Sequence, residues 1–81
     1  MEANLNINSL NNLPTGHKCK VTQLAAEGPI RRRMLDLGLI KDTEVEALTT
    51  SPSGDPVAYL IRGAVIAIRK EDAANIYIEY L

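Results

Sequence analysis

A single cysteine, Cys19, stands in 81 residues, which excludes an internal disulfide framework. With one histidine in the chain, Cys19 cannot complete a Cys/His zinc site by itself, so no metal site is expected. Neither sign of charge dominates. Nine Lys and Arg face ten Asp and Glu for a net charge of −1, whereas a protein built to coat nucleic acid carries a basic excess. No apolar run nears the ~20 residues of a membrane span. The opening MEANLNINSLNN lacks the basic and apolar regions of a signal peptide, so the expected location is the cytosol, with no membrane insertion. There is no Gly-rich nucleotide fingerprint and no Ser/His/Asp arrangement, and His17 is the one base suited to neutral pH. The chain is therefore not expected to be an enzyme, and no cofactor is implied.

What is present is ordinary for a small folded unit. Apolar residues make up 46%, too many for a disordered chain. The length suits a single domain over residues 1–81, one that buries roughly 60–65% of its unfolded surface.

Hydropathy alternation predicts most of the elements. Leu5 and Ile7 suggest an extended opening. A short helical turn follows, capped by Ser9 and stopped at Leu13-Pro14. In residues 17–25, His17, Cys19 and Val21 share one strand face, and the alternation fails at Gln23-Leu24, the mark of a bulge or strand end. Residues 28–38, GPIRRRMLDLG, read as a short helix. Pro29 sits in its first turn, Ile30, Arg33, Met34 and Leu37 lie at helical spacing, and Gly38 is placed to cap it. Residues 43–49 alternate, with Val45 and Ala47 inward and Glu44 and Glu46 outward. A turn-rich loop at 50–56 leads to strands at 57–62 and 65–69, with Gly63-Ala64 read as the hairpin turn. A helical turn at 70–75 and a strand at 76–80, with Ile76, Ile78 and Tyr80 on one face, complete the pattern. Short strands punctuated by turns predict a mainly β, closed sheet.

Three segments in order resemble the FeoA family. RRRMLDLGLI at 31–40 is similar to its helix, PSGDP at 52–56 to its proline-flanked loop, and RGAVIAIRKEDA at 62–73 to its final hairpin and helical turn. LNNLPTG at 10–16 is similar to the family's start. Where the family often has Pro-Gly, this chain has Lys41-Asp42, a pair that a type I turn tolerates well, whereas a turn needing positive φ wants Gly or Asn, so the turn type is open while the fold is not affected. The resemblance implies a small SH3-like β-barrel with one short α-helix after the first long strand and a short helical turn before the last. It also implies a cytosolic accessory protein of bacterial ferrous iron uptake. The expected partner is the permease FeoB, whose cytosolic GTP-binding region is one possible contact, and the chain itself is expected as a monomer or weak homo-oligomer. The same fold occurs at the end of DtxR-type repressors, but their DNA-reading helices have no room here.

Arg33 falls in the apolar stripe of the helix. Its stem is expected to pack on the barrel with its guanidinium on carbonyls or a carboxylate, or else to meet the partner. Arg32 can pair with Asp36 one helical turn on. Leu39 and Ile40, after the capping glycine, are the preferred partner-facing apolar residues. Ser53, Gly54 and Asp55 are candidate contacts because loops carry binding more often than core strands. Cys19 is expected in the core and His17 at a solvated strand end. Three tyrosines without Trp or Phe do not suggest the aromatic groove by which conventional SH3 domains hold proline-rich peptides. The alternative function is a small β-barrel that binds nucleic acid or serves a metalloregulator. Clustered positive charge and stacking aromatics would favour it.

Overall fold

Alternation along the chain becomes a six-stranded antiparallel sheet in the computed structural model, which describes residues 8–81. The extended stretch expected through Leu5 and Ile7 lies outside them. The strands are β1 (Asn8–Ser9), β2 (Lys18–Leu24), β3 (Glu44–Thr50), β4 (Val57–Ile61), β5 (Ala64–Ile68) and β6 (Ile76–Tyr80). Helix α1 (Gly28–Asp36) joins β2 to β3, and α2 (Lys70–Ala73) joins β5 to β6. The spatial order is β1-β6-β2-β3-β4-β5. Among the described residues the ladder runs from β1 at one end to β5 at the other.

Side-chain period two decides which residues enter the core. Cys19 and Val21 face inward, and then the pairing of β2 with β6 slips between Val21 and Gln23. This bulge flips the parity, so Leu24 is buried where simple alternation would have exposed it. The expected break is thus real and falls at Thr22. A second bulge, between Ala47 and Thr49, bends β3. Outside, the register sets Lys20 opposite Glu44 on one neighbour and Glu79 on the other, a favourable charge pattern across strands. Tyr59 spans the interior and its hydroxyl donates to the carbonyl of Leu10 at 3.4 Å.

Three local expectations are corrected, and one open turn is settled. The β4–β5 turn is Arg62-Gly63, not Gly63-Ala64. Both residues have positive φ, 52° and 85°, the I′ geometry whose twist matches the strands. The turn after α1, whose type Lys41-Asp42 left open, is not type I, because Asp42 takes φ 73°. The Leu10–Asn12 turn is 3-10, and Ser9 makes no side-chain cap. Its hydroxyl instead donates to the side-chain amide oxygen Oδ1 of Asn11. Tyr80, expected inward, is exposed because it sits at the last rung of β6.

Candidate functional site

Helix α1 is lightly seated on the barrel. Of its nine residues, Met34 alone is buried. Ile30, expected in the buried stripe, is 47% exposed. The other end is held firmly. The Leu39 N–H bonds the Met34 carbonyl and the Gly38 N–H bonds the Leu35 carbonyl, each at 3.0 Å. This is the paired Schellman pattern, with glycine in the left-handed position. The Thr43 hydroxyl donates to the Gly38 carbonyl at 2.9 Å. Arg62 lies across the bare Cα of Gly38, so that a Cβ there would stand 2.4 Å from its Cδ.

That joint splits the two residues that follow it. Leu39 has no exposed surface and is core, whereas its neighbour Ile40 is 48% exposed. Leu39 is thereby corrected from a surface candidate to a packing residue. Ile40 lines a groove of about 390 Å³ between α1 and β2, together with Leu35, Thr22, Gln23, Arg31 and Lys41.

The anchoring arginine is not the expected one. Arg31 donates from Nη1 to the Leu24 carbonyl at 3.2 Å, tying the first turn of α1 to the end of β2. Arg33 makes no such bond. It is exposed and borders a cavity of about 50 Å³ with Ile30, Met34, Ala67 and Asp72. Nor does Arg32 pair with Asp36. Among the described residues the ion pair is Lys20–Asp42, at 3.9 Å.

Ser53, Gly54 and Asp55 lie apart from Ile40, against α2. Asp55 accepts the backbone N–H of Lys70, the first residue of α2, at 2.9 Å. The Ser53 hydroxyl donates to the Asp55 carbonyl at 3.0 Å. These contacts fasten the loop to the fold. His17 and Cys19 do not act as a pair, since His17 is exposed just before β2 and Cys19 is sealed in the core. Burial pushes the Cys19 thiol up to about 11, so at neutral pH it is a thiol, not the thiolate that binds metal. Tyr59 is raised to about 12, by burial first and then by Cys19 and Asp55.

A model of the FeoA domain matches residues 8–80. The chain belongs to the FeoA domain family. It is 31% identical over 72 residues to the Fe(2+) transport protein A/Fe(2+) transporter FeoB fusion protein of Porphyromonas gingivalis. That match covers 89% of this chain, which spans only 8% of the fusion protein's length. The solution structure of FeoA from Chlorobium tepidum superposes with a TM-score of 0.86 at 34% identity, over 91% of this chain and 70% of that one. A Stenotrophomonas maltophilia FeoA crystallised with zinc is described as a prokaryotic SH3 domain protein. It matches at a TM-score of 0.80 and 25% identity, over 89% of each chain. The barrel of this FeoA chain is thus SH3-like. Helical spacing did not single out Arg31 as the anchor of α1, and Leu35 was not preferred over Leu39 although it lines the groove. Leu35, Leu37, Leu39 and Ile40 are more apolar residues than one face of a short helix buries, but which side of α1 faces β2 is set by the bond from Arg31 to the Leu24 carbonyl.

Proposed function

We propose that this chain is a non-enzymatic accessory module of ferrous iron uptake that binds the FeoB permease on its cytosolic side and supports or regulates it. One observation carries the reading. In the Porphyromonas gingivalis relative, a stretch 31% identical to this chain is covalently joined to the FeoB transporter, and fusion keeps two binding partners at high effective concentration. The form of the fold supports it too, because α1 exposes more than it buries and exposed apolar residues mark interaction surfaces. The residues proposed to meet the permease are Ile40 beside β2 and, on the α2 side, Arg33 and the loop residues Ser53, Gly54 and Asp55. Regulation requires that the module bind one state of the permease more tightly than another.

The test is binding of the purified chain to detergent-solubilised full-length FeoB from the same source, with and without GTP analogues. Saturable binding is expected, and a nucleotide dependence would identify the favoured state. No binding in any nucleotide state refutes the reading.

A further inference from the structure

The groove between α1 and β2 has a defined chemistry. Its floor is aliphatic, with Leu35 41% and Ile40 48% exposed. Arg31 and Lys41 stand on its rim, and Thr22 and Gln23 form the strand wall. A neighbouring concavity shares Arg31 and Leu35 and adds Pro29 and Arg32. Past Val21, whose N–H and carbonyl are held by Thr43 and Asp42, β2 has no ladder partner in β3, and its Thr22–Leu24 stretch borders the groove. Charge is distributed unevenly around it. The charged residues that line it, Arg31 and Lys41, are both cations, and the adjoining concavity adds the cation Arg32.

Two aliphatic side chains inside a cationic rim fit an occupant with apolar side chains flanked by carboxylates. A basic segment is repelled by the rim. A small free anion would leave Leu35 and Ile40 wet, and a flat lipid surface cannot follow the concavity between helix and strand. We infer that the groove takes a short acidic segment of a partner protein that inserts leucine- or isoleucine-type side chains over Leu35 and Ile40. This rests on the accessory-module reading only for which protein supplies the segment.

The test has two arms. In the first, amide NMR spectra of the full chain are followed during titration with a peptide alternating leucine and aspartate, with its leucine–lysine counterpart as control. Shifts confined to Thr22, Gln23, Leu35, Ile40 and Lys41, weakened by salt and absent with the lysine peptide, are expected. Ile40→Glu and Lys41→Glu, both at exposed positions, should each weaken the binding about tenfold or more. No shifts at millimolar peptide, or shifts centred elsewhere, overturn the inference. So does co-sedimentation with phosphatidylglycerol vesicles that Ile40→Glu abolishes while the peptide fails to bind. In the second arm, the same two variants are titrated against solubilised FeoB. If the parent chain binds and both variants bind equally well, the groove assignment falls while the accessory reading stands. If the parent fails to bind FeoB but the peptide arm succeeds, the partner is wrong and the groove stands.

Discussion

Replacing Gly38 with alanine probes the joint that separates Leu39 from Ile40. Gly38 holds φ 92°, where an L-residue costs roughly 1–2 kcal/mol. The new Cβ would lie 2.4 Å from Cδ of Arg62 and 3.4 Å from its Cγ, so the arginine must leave its place across the end of α1. Overpacking in a rigid core costs about 1–3 kcal/mol, and a side chain free to swing into solvent brings the low end of that range. The expected total is about 2–3 kcal/mol, or a fall in Tm of roughly 10–20 °C for a domain of this size. Urea unfolding followed by far-ultraviolet circular dichroism suits a chain without tryptophan. The decisive comparison is Gly38→Ala in an Arg62→Ala background. There the clash is gone and only the backbone strain remains, so the penalty should shrink to about 1–2 kcal/mol. Equal penalties in the two backgrounds would refute the packing of Arg62 on Gly38, and a penalty near zero in both would refute the left-handed joint itself.

Three further outcomes are expected. Leu39→Ala should cost about 2–5 kcal/mol in urea unfolding, as for other buried leucines, whereas Ile40→Ala should change stability by less than about 1 kcal/mol and show its effect in binding instead. Asp42→Gly should be neutral or stabilise by up to about 1 kcal/mol by relieving positive φ, and a clear loss by thermal unfolding would mean that the Lys20–Asp42 pair matters more than its 3.9 Å separation suggests. Stability should be flat up to about pH 8.5 and then fall, because Cys19, raised from 9.0 to about 11, and Tyr59, raised from 10.0 to about 12, both stay protonated longer when folded. The unfolded chain releases these protons first, so each group contributes a loss of up to about 3 kcal/mol as pH rises through its folded pKa. Cys19→Val should remove the part of the fall between about pH 9 and 11 and leave the tyrosine part, as read by unfolding at stepped pH.

Much of the fold was legible because its cause is local. Cys19, Val21, Val45 and Ala47 alternate, and a strand with one wet face follows from side-chain geometry alone. Pro29 and Gly38 bracket a helix for equally local reasons, since a missing N–H is harmless at its start and glycine takes the left-handed cap at its end. The turns had competing local solutions. Gly63 could have served as first or second turn residue, and pairing Ile61 with Ala64 selects the second. Asp42 could have lain in an ordinary type I turn. Instead its N–H bonds the Val21 carbonyl at 2.7 Å, and that distant contact holds the left-handed conformation.

The candidate site was less legible because it depends on contacts between segments far apart in the chain. Helical spacing puts Arg33 in the apolar stripe, yet Arg31 is the residue within reach of the Leu24 carbonyl. Leu39 and Ile40 are indistinguishable by type, and only the closure of α1 onto Thr43 and Arg62 turns one inward and the other out. Asp55 looked like a free loop acid until the fold brought the N–H of Lys70 to it. By itself the sequence determined the strands, the helix with its cap, and the family, because periodicity and turn chemistry are written between near neighbours. The tertiary structure alone decided which arginine is an anchor, which leucine is core and which aliphatic residues stay exposed. Those outcomes depend on hydrogen-bond partners and covering surfaces that distant segments supply only once they have packed.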